Sequence, residues 1–279
     1  MTTVLVTGAT GTIGSALIPA LRARGVTVRA LVRDPANRIP DVENAVGDLR
    51  DPASLTAALH GVDAAFLNSP SAADAAALQI RFADLAQAAG VGRLVLLSQY
   101  AARPDSPVRF LRWHAEVEAH VAAMGIDYTV LRPNLFLQAL LGFAGTIAEG
   151  WFAAPIGDAA VSAIDTRDIA DAAAVVLTES GHSGRTYTLT GPRAVTHQEM
   201  AEALSAATGR HVEFRSVSGE AFREALAGYL PAWQVEGVLE DFSGYARGHG
   251  ASVHPVTELT GRPGRDVVDF ARDHVGAFQ

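Results

Sequence analysis

The chain has 279 residues, 49% of them hydrophobic and 19% charged, with a net charge of −8, an ordinary globular composition that argues against disorder and fibrous repeats. It holds no cysteine and no lysine, and all 22 basic residues are arginine, so disulfide scaffolds, thiolate metal sites, cysteine nucleophiles, Schiff bases and a Walker-type lysine are excluded. With 30 acidic residues against 22 basic ones, the summed field repels a polyanion, and no nucleic-acid partner is expected.

The first half alternates short β-branched runs with longer alanine-rich stretches of helical period, the rhythm of βαβ units on a parallel sheet. Strands are predicted at 3–7, 26–32, 42–46, 64–68, 93–98 and 128–131, with helices near 12–24, 52–59, 72–89 and 108–124. These predict a Rossmann-type, doubly wound α/β sheet over residues 1–133. Beyond Pro133 the pattern loosens at Gly142, Gly145, Gly150 and Gly157. A helix over 165–179 is expected to rejoin the first part, followed by a strand at 186–190 and helices near 197–208, 220–227 and 265–275. Residues 134–279 thus read as a smaller α+β substrate-binding part, with the substrate site between the two parts. The N-terminus enters an apolar strand without a basic leader, and the apolar stretch 134–148 falls short of the roughly 20 residues of a membrane span. A cytoplasmic chain without membrane contact is expected, as a monomer or homodimer.

Val4-Leu5-Val6-Thr7-Gly8-Ala9-Thr10-Gly11-Thr12-Ile13-Gly14 sets glycines at Gly-x-x-Gly-x-x-Gly between a strand and a helix. Gly8 permits the tight turn, Gly11 lets backbone amides approach a pyrophosphate, and Gly14 lets the helix pack closely on the strand. Thr10, Thr12 and Ile13 share that loop as cofactor contacts. The second strand ends Ala30-Leu31-Val32-Arg33-Asp34. Arg33 there suits the 2′-phosphate of NADP, a charge-assisted contact worth about ten- to a hundredfold in preference. The alternative is that Asp34 reads the ribose hydroxyls of NAD and Arg33 is solvated. Val46-Gly47-Asp48-Leu49 offers Asp48 to the adenine amine and Leu49 to the ring, while Asp51-Pro52 starts the next helix. Asn68-Ser69-Pro70 is placed to pass under the nicotinamide ribose.

With these residues, and with Leu97-Ser98, Tyr128-Thr129-Val130-Leu131-Arg132-Pro133-Asn134 and Asp165-Thr166-Arg167-Asp168-Ile169-Ala170 in order, the chain resembles the NmrA-like branch of the atypical short-chain dehydrogenases/reductases, close in flavour to its bacterial NAD(P)H:quinone oxidoreductases. The resemblance spans almost the whole chain. It implies a Rossmann domain, NADP(H) and a small C-terminal substrate domain, in a branch that also contains nucleotide-sensing regulators without turnover. The superfamily works with a serine at the end of the fifth strand and a Tyr-x-x-x-Lys pair on the next helix. Ser98 matches the serine, whereas Phe110 and His114 take the tyrosine and lysine positions, with the same i, i+4 spacing. Phenylalanine donates no proton, and no lysine exists elsewhere to replace the missing one. His114 either holds a ribose hydroxyl or supplies a proton near neutral pH, or is a plain helix-surface residue. Tyr100 either reaches the nicotinamide pocket or is a rim aromatic. The family places the turn after the sixth strand against the nicotinamide, which makes Pro133, Asn134 and Phe136 contacts to carboxamide and substrate, with Arg132 open to a structural role. Phe136, Leu140, Leu141, Phe143, Trp151 and Phe152 read as a pocket lid or as core.

No Gly-x-Ser-x-Gly elbow occurs and the nine histidines form no His-x-x-x-His pair, so neither a hydrolase nor a metal site is expected. The expectation is an NADPH-dependent reductase of a quinone-like or conjugated apolar small molecule, in which Ser98 orients the acceptor oxygen. Quinones suit the missing tyrosine, because a stable hydroquinone anion needs only a weak acid. A non-catalytic NADP(H)-binding redox sensor and a reductase or isomerase of a biosynthetic intermediate remain alternatives.

Overall fold

The computed structural model describes residues 2–279. Its apolar runs become strands because helices cover both faces of one sheet. In chain order the first half gives β1 (Thr3–Val6), α1 (Thr12–Arg22), β2 (Thr27–Val32), β3 (Glu43–Val46), α2 (Pro52–Leu59), β4 (Ala64–Leu67), α3 (Ala75–Ala88), β5 (Arg93–Leu97), α4 (Arg109–Ala123) and β6 (Asp127–Pro133). The second half adds α5 (Ala144–Ala148), β7 (Trp151–Ala154), α6 (Thr166–Thr178), β8 (Arg185–Leu189), α7 (His197–Thr208), β9 (Glu213–Ser216), α8 (Gly219–Leu226), α9 (Ala232–Ala246), α10 (Thr257–Thr260) and α11 (Val267–Asp273).

The main sheet has seven strands in the order β3-β2-β1-β4-β5-β6-β8, and the first six pair in parallel. Val4 of β1 stands opposite Val28 on one side and Ala64 on the other. The winding reverses between β1 and β4, and the crevice outside the carboxyl ends of these strands is where open α/β sheets bind ligands. Every residue of β4 is buried, as a central strand covered on both faces requires. Leu5, Leu31, Leu59, Leu67, Phe82 and Val121 belong to the core on one side of this sheet.

The chain divides into two compact units. The first runs to Asp105 and takes in Leu111–Arg132 and Ile169–Thr188. The second comprises Ser106–Phe110, Pro133–Asp168 and Leu189–Gln279. Its core contains Leu137, Leu140, Phe152, Leu204, Phe270 and Phe278, and its small sheet pairs β7 with β9, Phe152 opposite Phe214. A capping box between Thr196 and Glu199 starts α7, and Gly209 ends it in the left-handed conformation at φ 68°.

Three elements of the second unit carry no local signal in the sequence. The strands β7 and β9 are four residues long and find each other across α6, β8 and α7. The helix α9 has glycines at 237 and 244 in its interior, where glycine costs about 1 kcal/mol relative to alanine. Gly237 is there for packing, because a Cβ on it would lie 2.2 Å from Cζ of Phe110. Among the described residues no helix is long and apolar enough to cross a membrane.

Candidate cofactor and active site

The loop between β1 and α1 is built around missing side chains. Gly8 has φ 60°, and a Cβ on it would stand 3.1 Å from both the Nδ2 and the carbonyl oxygen of Asn68. A Cβ on Gly14 would come within 2.2 Å of the Gly8 carbonyl oxygen, so only glycine lets the first turn of α1 close onto the loop. The Gly11 N–H donates to Gly8 O at 3.0 Å and closes the turn. Thr7 ties this loop to the end of β4: its hydroxyl donates to Asn68 O at 2.7 Å and accepts from the Asn68 N–H at 2.8 Å. Gly11 is the N-cap of α1, no side chain caps the helix, and its first turn holds no acidic residue. The orphan N–H groups at that end therefore keep their pull on an anion. Thr10, Gly11 and Thr12 are exposed around it, while the Ile13 side chain is buried and leaves only its backbone on offer. This cradle fits a dinucleotide pyrophosphate.

At the end of β2 the two candidate ribose readers part ways. Asp34 accepts the Ala36 N–H at 2.8 Å and caps the short 3-10 turn Pro35–Asn37, whereas Arg33 is exposed. Asp51 caps α2, accepting the Ala53 N–H at 3.0 Å. Asp48 accepts the Arg50 N–H on one oxygen at 2.8 Å. Leu49 lies within the core, so its expected reach to an adenine ring is limited to the little surface it retains. Asn68 and Ser69 are half-buried, and the Ser69 hydroxyl accepts from Gln79 Nε2 at 2.7 Å.

Ser98, at the end of β5, is buried, and its backbone N–H donates to Leu131 O at 2.7 Å. Its hydroxyl donates to Oε1 of Glu118 on α4. Arg132 of β6 grips the same carboxylate, Nε on Oε1 at 2.9 Å and Nη2 on Oε2. This departs from the expectation that Ser98 orients an acceptor oxygen, because its one hydrogen is already committed. His114, one turn before Glu118, is half-buried. Burial pushes its imidazole down to about 4 against the opposing pull of the Glu118 carboxylate. The ring is therefore neutral at pH 7, with one N–H that can hold a hydroxyl. Tyr100 is half-buried and precedes Ala101, which sits at φ 59° in a tight turn closed by the Ala102 N–H on Gln99 O at 3.2 Å.

In the second unit Asn134 is buried and makes three side-chain hydrogen bonds. Its Nδ2 donates to Ser162 Oγ and Gly250 O, both at 2.9 Å, and its Oδ1 accepts the Leu135 N–H at 2.8 Å. Both Nδ2 hydrogens are thus used within the fold, and Oδ1 retains one lone pair. Pro133 is buried and Phe136 half-buried. Leu140 and Phe152 are core, with Leu141 and Phe143 packed against them, so the apolar run is chiefly core and not lid. Asp165 and Asp168 are structural too, the first bound by Arg167 and Gln138, the second by Arg265. Among the described residues no group of three or more metal-ligating side chains converges. The residue that sequence reasoning did not single out is Glu118; its place one turn from His114 and its charge opposite Arg132 were the available signals.

A parallel sheet wound in this order, with a glycine cradle at its switch point, defines a Rossmann-type protein. The chain belongs to the NmrA-like family, which matches residues 1–252. It is 38% identical over 282 residues to the NAD(P)H azoreductase of Xenophilus azovorans, covering 99% of each chain. It is 39% identical over 283 residues to the (4-alkanoyl-5-oxo-2,5-dihydrofuran-3-yl)methyl phosphate reductase of Streptomyces griseus, again over 99% of each. Among solved structures, the NADPH-dependent quinone oxidoreductase of Escherichia coli in complex with NADPH superimposes with a TM-score of 0.87 at 29% identity, covering 98% of this chain and 99% of that one.

Proposed function

We propose that this protein is an NADPH-dependent oxidoreductase that delivers hydride directly to a conjugated, electron-poor and largely apolar small molecule of the quinone or azo type. The observation that carries the reading is the cradle of Gly8, Gly11 and Gly14 before the uncapped N-terminus of α1. Thr10, Thr12 and Ile13 would complete the pyrophosphate site through their backbone. Arg33, exposed at the end of β2, would take a 2′-phosphate, which favours NADPH over NADH. Asp48 would accept from the adenine amine, and Asn68 and Ser69 stand where β4 opens beside the glycine loop.

When bound, NADPH supplies the hydride; the chain supplies position and hydrogen bonds. No tyrosine occupies the donor position on α4 and no lysine exists to lower its pKa. An acceptor whose reduced form is a stable anion needs no strong acid, which suits a quinone better than a simple ketone. Neutral His114 can hold a hydroxyl, and Tyr100 stands on the loop after β5. The azo, quinone and oxo-dihydrofuran compounds in the names of the relatives share an electron-poor π system, which supports the same class here.

The test is NADPH oxidation by the purified protein across benzoquinones, naphthoquinones, azo dyes and simple ketones, with NADH in parallel. Saturable turnover of quinones or azo dyes, with NADPH preferred and ketones inert, is the expected result. Ketone reduction as fast as quinone reduction would overturn the acceptor class. Tight NADPH binding without turnover of any acceptor would replace the enzyme reading by that of a redox sensor.

A further inference from the structure

A serine hydroxyl has one hydrogen to donate and two lone pairs to offer. In this fold the hydrogen of Ser98 goes to Glu118 Oε1. An ionised carboxylate is an acceptor only, so the direction of that bond is fixed by chemistry. The carboxylate is fixed in place as well: Arg132 holds both of its oxygens, and the Glu118 side chain is only 11% exposed. A bidentate guanidinium clamp around a mostly buried carboxylate is among the stronger and more directional side-chain contacts. Toward any third group Ser98 therefore presents lone pairs alone.

We propose that Glu118 is a positioning residue that sets the polarity of Ser98, so that Ser98 accepts a hydrogen bond from a hydroxyl or amide donor of the bound dinucleotide and does not donate one to the substrate. This rests on the NADPH reading above. A quinone or azo acceptor offers no hydrogen to Ser98, whereas the ribose hydroxyls and carboxamide of the nucleotide do. Donating to a substrate oxygen would require Ser98 to abandon Glu118 and leave a buried carboxylate one partner short. Ser98 and Glu118 therefore belong to nucleotide binding, and they act as one unit.

The experiment is a double-mutant cycle on equilibrium NADPH binding, read by nucleotide fluorescence, with Ser98→Ala, Glu118→Ala, the double variant and Ser98→Thr. Ser98→Ala and Glu118→Ala should each weaken NADPH about five- to tenfold, the loss of one hydrogen bond to a buried partner. The double variant should be no weaker than the worse single one, since Glu118 has nothing to orient once the hydroxyl is gone. Ser98→Thr should restore wild-type affinity, and KM for a quinone should stay unchanged across the series. A double variant whose loss is the product of the two single losses would make Glu118 merely structural and overturn the proposal. So would a raised quinone KM in Ser98→Ala at unchanged NADPH affinity. If Glu118→Ala does not fold, Arg132→Gln, which keeps the carboxylate but loosens its clamp, replaces it in the same cycle. A wild type that does not bind NADPH overturns the cofactor reading itself, whereas a wild type that binds and shows no coupling overturns this proposal alone.

Discussion

Arg33 and Asp34 are adjacent and differ in what already occupies them. The carboxylate closes a turn on Ala36, and the exposed guanidinium is left for a ligand. Arg33→Ala should weaken NADPH by about ten- to a hundredfold while NADH changes little, measured as two dissociation constants at one ionic strength. Equal losses for both nucleotides would remove the 2′-phosphate assignment. The sequence alone left these neighbours in competition, and the fold adds only that one Asp34 oxygen is spent on a cap, a bond visible once the turn has formed. The glycine triplet was legible because its reasons are local: Gly14 collides with Gly8, six residues away. The structural role of Asn134 was not legible for the opposite reason, since its partners Ser162 and Gly250 lie 28 and 116 residues away.

Elements were legible where their ends carry chemistry. The predicted helix at 52–59 coincides with α2, which Asp51 and Pro52 mark, and 197–208 coincides with α7, which Thr196 and Glu199 mark. The reciprocal bonds of that capping box, Glu199 N–H to Thr196 Oγ1 at 3.1 Å and Thr196 N–H to Glu199 Oε2 at 2.8 Å, satisfy donors that the helix itself cannot. Thr196→Ala should cost about 1 kcal/mol, seen as a lower urea midpoint with an unchanged slope. A change in slope would mean that α7 does more than stand on its own cap. The helix α9 was illegible because its glycines serve a neighbouring ring and not the helix, and β7 and β9 because a strand of four residues is defined by its partner.

For the whole molecule, the first-half sheet could be read from hydrophobic rhythm, since each parallel crossover spaces its strands with a helical period between them. Acid sensitivity could not, because it depends on which histidines the fold buries. His114 and His197 both have imidazoles pushed down to about 4 by burial, from an ordinary 6.5. His197 sits among Phe152, Phe214 and Phe242, with Nδ1 buried and unpaired among the described residues. Above about pH 6.5 neither group is protonated in the folded or the unfolded chain, and neither affects stability. Between about 6.5 and 4 the unfolded chain takes up protons that the folded chain refuses, so stability falls as pH falls, by at most about 3 kcal/mol per histidine. His197→Phe should narrow the gap between the denaturation midpoints at pH 7 and pH 5, and an unchanged gap would show that His197 is solvated in the fold.

The Phe110 ring lies over Gly237 of α9, where a Cβ would stand 2.2 Å from its Cζ and 2.6 and 2.7 Å from its two Cε atoms. An alanine methyl at 237 would be driven into the face of that ring. Gly237→Ala should therefore lower the melting temperature and Phe110→Leu in the same chain should recover part of the loss, whereas an unchanged melting temperature for Gly237→Ala would show that the ring moves aside. The two positions are coupled through one contact: any residue larger than glycine at 237 requires a smaller or displaced side chain at 110, so the pair can change only together.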